Sequence, residues 1–264
     1  MQSKPLIRWA GSKRKLLDTL VKSLPKDYER YVEPFCGSAC LFFESKKKPA
    51  LLTDINSELI NALNEIKSNK EIRDQLLAVP NTEKEYYRVR SIDPSTQNAN
   101  ERAIRFLYLN RNCFNGVYRT NKLGQFNVPR GNKTGTFPPQ EVFDSSRKKL
   151  KEATLRVATY HETLKSLKKG DFAYIDPPYS KSVNFTGQYG LGSFNSSHLG
   201  ALFADLELLH KKGVKFLFSY RACEETISTL QMNFNVERLS VKRHISGFKN
   251  SWNEAEEILV KNYD

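Results

Sequence analysis

The sequence predicts an α/β fold: a doubly wound, mostly parallel sheet with an antiparallel edge strand, interrupted by a basic, mainly helical insert. Three observations carry this. Short apolar runs at 30–35, 50–55, 155–160, 171–176 and 214–219 alternate with helix-length amphipathic segments, the rhythm of βαβ units. That rhythm stops between about 57 and 143, where the periodicity stays helical. Two final strand-like runs, near 234–245 and 256–262, have no helical pattern between them, which predicts an antiparallel pair at one edge. With 264 residues, the chain suits a main domain (1–56 with 144–264) carrying an inserted subdomain (57–143).

Taken in order, residues 13–24 place Leu16, Leu17, Leu20 and Leu24 on one helical face. RYVEPF (30–35) reads as a strand stopped by proline, and Ser38–Glu44 suits a helix. ALLTDI (50–55) reads as a second buried strand. Asn56 is placed to cap the next helix, which carries Leu59, Ile60, Leu63 and Ile66. Helical patterns continue at 69–78, 82–90 and 100–111. The stretch NCFNGVYRTNKLGQFNVPRGNKTGTFPP then holds too much Asn, Gly and Pro for a helix. A loop or hairpin of that length inside a domain is usually functional. Helix returns at 139–152, and further helices are expected at 162–169, 196–212 and 223–230. The Gly/Ser/Asn-rich segment 180–195 reads as a mobile loop.

No run approaches the length of a membrane span, and the start MQSKPLIRWAG lacks the pattern of a signal peptide. A cytoplasmic protein with no membrane partner is therefore expected. Cysteines at 36, 40, 113 and 223 form no C-x-x-C pair, so no metal site is expected; Cys36 and Cys40 read as small buried residues in a reducing compartment. Lys and Arg total 42 against 29 Asp and Glu, a net charge of +13, which favours a polyanionic partner. Solubility alone would explain an even spread. Instead, no acid lies between Arg102 and Gln140, a stretch holding Arg102, Arg105, Arg111, Arg119, Lys122, Arg130 and Lys133. It also holds Phe106, Tyr108, Phe114, Tyr118, Phe126 and Phe137. Basic groups neutralise phosphates, and aromatics wedge or stack between bases.

Four motifs point to chemistry. In E-P-F-C-G-S-A (Glu33 to Ala39), a strand runs into a glycine turn and a helix, a cofactor-binding arrangement that is also an ordinary tight turn. T-D-I-N puts Asp54 at the next strand's end, placed for ribose hydroxyls or simply for capping a helix. R-W-A-G-S-K (Arg8 to Lys13) means little alone. D-P-P-Y (Asp176 to Tyr179) ends an apolar strand; by average composition it arises by chance in on the order of one in a thousand chains this long. An exocyclic purine amine is a poor nucleophile because its lone pair is delocalised into the ring. Asp176 and the Pro177 carbonyl are suited to accept its two N–H groups, which localises that pair; consecutive prolines stiffen the turn. Tyr179 offers a stacking face, and the carboxylate stabilises positive charge developing on nitrogen.

Together these residues resemble the Dam-type DNA adenine-N6 methyltransferases, over nearly the whole chain and in motif order. The resemblance implies a Rossmann-like class I methyltransferase sheet, S-adenosylmethionine as cofactor and flipping of one adenine from double-stranded DNA. It implies Asp176, Pro177 and Tyr179 as catalytic residues. Trp9, Lys13, Glu33, Phe35, Gly37, Asp54, Ile55 and Asp176 would bind cofactor, with Tyr160 at a strand end near its adenine. F-N-S-S-H-L (194–199) and E-E-I-L-V-K-N-Y (256–263) are similar to weaker downstream blocks. Where the family often has a second glycine, this chain has Ala39, which is small and compatible with a helix. L-N-R-N-C-F-N-G-V-Y-R-T-N (109–121) and G-Q-F-N-V-P-R-G (124–131) resemble the target-recognition segment and its hairpin. Phe114 would be the wedge, Asn115 and Val117 its neighbours at the gap, and Arg119 a reader of guanine. Arg8, Asn127 and Arg130 would also contact DNA. A GATC-type palindrome is the expected target and a monomer the expected state, with association on DNA as an option. An RNA adenine methyltransferase and a catalytically silent DNA-binding module are the alternatives.

Overall fold

A computed structural model describes residues 6–46, 48–132, 134–179, 194–244 and 252–264. Lys133 and most of the 180–195 loop lie outside the described residues. Strands β1 (Arg30–Glu33), β2 (Ala50–Asp54), β3 (Ala153–Val157), β4 (Asp171–Ile175), β5 (Lys215–Arg221), β6 (Asn235–His244) and β7 (Trp252–Lys261) form one sheet, ordered β3-β2-β1-β4-β5-β7-β6. The first five are parallel; β7 runs antiparallel to β5 and β6. Strand order reverses between β1 and β4, and ligands in such sheets bind outside the carboxyl ends at that switch. Glu33 ends β1 and Asp176 follows β4 there.

Alternate residues of each strand feed two cores, as a two-residue side-chain period requires. Tyr31, Leu52, Phe172, Leu217 and Leu259 join Leu20 of α1 (Leu17–Lys22), Phe42 of α2 (Cys40–Glu44) and Leu59 of α3 (Ser57–Ser68). Val32, Leu51, Ala173, Phe218 and Val260 face the other way. Helices α8 (Tyr160–Lys165), α9 (Ser196–Lys211) and α10 (Glu224–Leu230) cover them with Leu164, Leu206 and Ile227. Burial on both faces is why these strands read as apolar runs. The first core continues through α5 (Glu83–Ser91), α6 (Ala99–Asn112) and α7 (Gln140–Leu150) by way of Tyr86, Phe106 and Phe143; α4 (Ile72–Leu77) adds Leu76.

Two sequence expectations shift. Strand β3 ends at Val157, and Tyr160 opens α8 instead of closing a strand. Thr159 and Glu162 form a capping box, whose two reciprocal hydrogen bonds start the helix two residues earlier than apolar periodicity suggests. Ala39 is not helical: it has left-handed dihedrals (φ 51°, ψ 36°) at the N-cap of α2. An L-residue there bears strain of about 1–2 kcal/mol that glycine escapes. The hairpin after α6 is irregular, with isolated bridges Cys113–Arg130 and Thr120–Phe126 and a tip closed by Asn121 N donating to Gln125 O at 2.9 Å.

The switch strands are pinned at their entry. Asp171, 2% exposed, accepts Arg30 Nε at 2.9 Å, Arg30 Nη2 at 2.6 Å and Lys168 N at 2.9 Å. Asp171→Ala strands the half-exposed Arg30 and an amide without partners; unfolding free energy in denaturant titrations is expected to fall by about 2–3 kcal/mol.

Candidate active site

A cleft of about 340 Å³ opens at the switch, and every predicted cofactor-binding and catalytic residue lines it. The first strand and its turn bring Glu33, Phe35 and Gly37; β2 brings Asp54 and Ile55; β4 brings Asp176, Pro177 and Tyr179. Trp9 and Lys13 arrive from the chain before α1, and Tyr160 from the start of α8. Gly37 adopts φ +46°, and a Cβ on it would lie 2.6 Å from Trp9 Cδ1, so glycine is required twice over: for the turn and for the indole. Asp54 Oδ2 accepts Gly37 N at 3.1 Å and Oδ1 accepts Asn56 N at 2.9 Å, tying the turn to the end of β2. Burial raises the Asp54 pKa, and the Asn56, Gly37 and Ile55 amides oppose that. Beside it, Phe35 stacks on Tyr160 with centroids 5.1 Å apart, Phe194 meets both edge-on, and Ile55 is 50% exposed.

The catalytic end is an ion-pair network. Lys13 Nζ lies 2.8 Å from Asp176 Oδ1, 3.1 Å from Tyr179 OH and 3.6 Å from Glu257 Oε2. Ser219 Oγ donates to the same Asp176 Oδ1 at 3.0 Å and bonds Tyr174 OH at 3.1 Å. The described donors thus gather on Oδ1, leaving Oδ2 to accept an incoming N–H. Burial raises the Asp176 pKa; Lys13 and the Ser219 hydroxyl pull it back toward the ionised form. For Lys13, burial favours loss of the proton, but Asp176, Tyr179 and Glu257 outweigh it and raise its pKa. Glu33, 2% exposed, accepts Phe42 N at 3.1 Å and the Tyr31 hydroxyl; burial pushes its pKa up to about 8.

A second cleft, about 640 Å³, adjoins the first; Trp9 and Ser12 line both. Arg8, Phe114 and Asn115 line only the second. Asn110 holds the Arg8 backbone in both directions, accepting its N–H at 2.8 Å and donating to its carbonyl at 2.6 Å. Phe114 N donates to Pro129 O at 2.9 Å, fixing the turn on which the ring stands. Burial sorts the six aromatics of the insert. Phe106, Tyr108 and Phe126 are buried and Tyr118 and Phe137 pack on the core, whereas Phe114 is 50% exposed. Burial sorts the arginines too. Arg105 donates to Arg90 O, Arg111 to Leu6 O, and Arg102 pairs with Glu58. These three serve the fold, against the expectation that the whole basic run faces a polyanion. Val117, Arg119, Asn127 and Arg130 lie outside both clefts. Arg119 Nε donates to Asn127 Oδ1 at 2.8 Å, and Arg130 donates to Asn81 Oδ1 at 3.2 Å.

The model of the D12 class N6 adenine-specific DNA methyltransferases matches residues 9–245. The chain belongs to this family. The Type II methyltransferase M1.LlaDCHI of Lactococcus lactis subsp. cremoris is 33% identical over 98% of this chain and 95% of its own. M.MjaIII, a Type II methyltransferase of Methanocaldococcus jannaschii, is 30% identical over the full length of both. The Retron Ec67 DNA adenine methylase of Escherichia coli is 32% identical over 97% of this chain and 90% of that one. The protein is accordingly an adenine-specific DNA methyltransferase.

Sequence reading missed Ser219 and Glu257 in this methyltransferase's site. Both had a signal: each is a polar residue closing or opening an apolar strand run, FLFS and EILV, and each is buried. His161, beside Tyr160, turns instead to Asp205, with Nδ1–Oδ2 at 2.9 Å.

Glu33 makes stability pH-dependent. Folded Glu33 keeps its proton up to about pH 8, while its ordinary value is 4.5. The folded state binds more protons in that window, so this contribution falls as pH rises from about 4.5 to 8. Denaturant midpoints compared at pH 5 and pH 8 are expected to converge in Glu33→Gln, removing a difference on the order of a few kcal/mol.

Proposed function

We propose that this methyltransferase acts on an adenine flipped from duplex DNA into the cleft beside Asp176, at a GATC-type palindrome, with residues 57–143 supplying target recognition. The observation that carries the reading is the single crevice joining Gly37, Asp54 and Asp176, with the exposed Phe114 at the mouth of the adjoining cleft.

The first cleft fits S-adenosylmethionine. Asp54 retains lone pairs for ribose hydroxyls, Ile55 and the Phe35–Tyr160 stack offer flat apolar faces for the adenine, and the Gly37 turn lets backbone come close. Trp9 and Glu33 wall the methionine end. When bound, the cofactor supplies a methyl group activated by a sulfonium.

The chain's own work is to position and polarise the amine. Asp176 Oδ2 accepts one N–H of adenine N6 and the Pro177 carbonyl the other, so the nitrogen lone pair leaves conjugation and points at the methyl carbon. Ser219 and Lys13 fix the carboxylate by its Oδ1. Tyr179, held edge-on by Tyr220 with centroids 5.4 Å apart, supports the base. Methylation would break the methyl–sulfur bond as the N–C bond forms and leave positive charge on N6; Asp176 is placed to stabilise that charge and to accept the N6 proton. Phe114 fills the gap in the stack, and Arg119, aimed by Asn127, reads a guanine edge. Arg8 and Arg130 add contacts to the duplex, with Asn115 and Val117 beside the wedge. The protein acts as a monomer in the cytoplasm.

Methyl transfer from labelled S-adenosylmethionine tests this. Asp176→Ala is expected to lower turnover at least a thousandfold while DNA affinity stays within a few-fold. RNA methylated in preference to duplex would overturn the substrate assignment. Phe114→Ala is expected to leave cofactor affinity unchanged and to lower kcat/KM for duplex about tenfold or more, losing one base-stacking contact. A base-analogue fluorescence signal for flipping that matches wild type would refute the wedge.

A further inference from the structure

We propose that Glu257 is a positioning residue for catalysis, acting through Lys13 to return net negative charge to the Asp176 site. The inference rests on Asp176 as the acceptor of the target amine. Lys13 and Asp176 are 2.8 Å apart, so that pair sums to zero and offers little field to a cation forming on adenine N6. Glu257 Oε2 lies 3.6 Å from Lys13 Nζ and restores the cluster to one net negative charge. The residue is only 2% exposed within β7, where a carboxylate needs compensating charge such as the Lys13 ammonium.

The arrangement also keeps Lys13 in place. With two acid partners, the ammonium needs no third when a substrate N–H arrives at Asp176, and the carboxylate rotamer holds. Among the described residues, the charged and titratable groups around Asp176 are Lys13, Glu257, Tyr179, Tyr174, Glu33 and Cys40. Among the described residues, those around Glu257 include Lys13, Asp176 and Tyr179, with Arg221 its exposed register partner on β5. Glu257 is the member of this set that counters Lys13 without being able to touch the substrate's nitrogen first.

The test compares wild type, Asp176→Asn, Glu257→Gln and Glu257→Asp, in single-turnover methylation of duplex across pH, with cofactor affinity and melting temperature measured alongside. Glu257→Gln is expected to slow transfer about tenfold or more with cofactor and DNA affinity within about threefold of wild type. Its acid limb should move to lower pH, because a like charge that raises the Asp176 pKa is gone. Glu257→Asp should recover most of the rate and the wild-type acid limb. Wild-type turnover in Glu257→Gln, or equal loss of rate, stability and cofactor binding in both Glu257 variants, overturns the proposal. If Glu257→Gln does not fold, Glu257→Asp decides: a rate at or modestly below wild type with the wild-type acid limb and intact cofactor affinity supports the proposal, and a loss of rate matched by lost cofactor affinity or melting temperature overturns it. An active Asp176→Asn would instead overturn the role of Asp176 itself.

Discussion

The Lys13–Asp176 ion pair is the interaction on which the site depends. A carboxylate at the end of a strand buried on both faces is disfavoured as an anion, and burial raises its pKa. A protonated acid offers one acceptor fewer and no charge to a forming cation. Lys13 solves the first problem and creates the second. It pulls Asp176 back toward the ionised form from 2.8 Å, and it brings a positive charge to a place where, in the proposed chemistry, a second positive charge develops. The ammonium comes from the chain before α1, far in sequence from D-P-P-Y. The partner of the Asp176 carboxylate is therefore in place only when the N-terminal segment is packed against the site.

That segment does more than supply an ammonium. Trp9 lies against the Gly37 turn on one side and stacks on Tyr118 at 6.0 Å and 25° on the other. Its ring is thus the shared wall of the two clefts, touching the turn that frames the first and the hairpin root that frames the second. Asn110 clamps the backbone of Arg8 immediately before it, and Arg8 in turn packs over Gly116, where a Cβ would sit 2.6 Å from the arginine Cβ. One indole thus links the hairpin after α6 to the Gly37 turn. The continuous core from Leu52 through Leu59 to Phe106 makes such coupling stiff, since close-packed side chains transmit displacement.

Much of this was legible in the sequence, for identifiable reasons. Strands buried on both faces announce themselves as apolar runs, and the end of a run gives the position of Asp54 and Asp176 to within a residue. The Asn56 cap was readable because an Asn before an amphipathic run has few other uses; its side chain accepts Leu59 N at 3.0 Å. Local chemistry defeated periodicity at Tyr160, where the Thr159–Glu162 box decides the boundary. Ala39 was misread because composition cannot report a dihedral: a small residue before a helix looks helical until its φ is known. Ser219 and Glu257 stayed hidden because a single polar residue in an apolar strand is a weak signal until the fold sets it beside Asp176 or Lys13.

The basic run of the insert was the least reliable guide, and the reason is physical. Charge counted along a sequence cannot separate an arginine that faces solvent from one that satisfies a buried carbonyl. Arg105 and Arg111 are each 7% exposed and donate to backbone carbonyls of α5 and of the chain start, so their charge holds protein segments together. Burial lowers the pKa of both, that of Arg111 to about 10, which still leaves it protonated near neutrality. Their fields persist at longer range and add to the net charge of +13, which favours a polyanion. The aromatic set divides in the same way: five rings build the platform, and Phe114 alone among them stands half exposed at its edge.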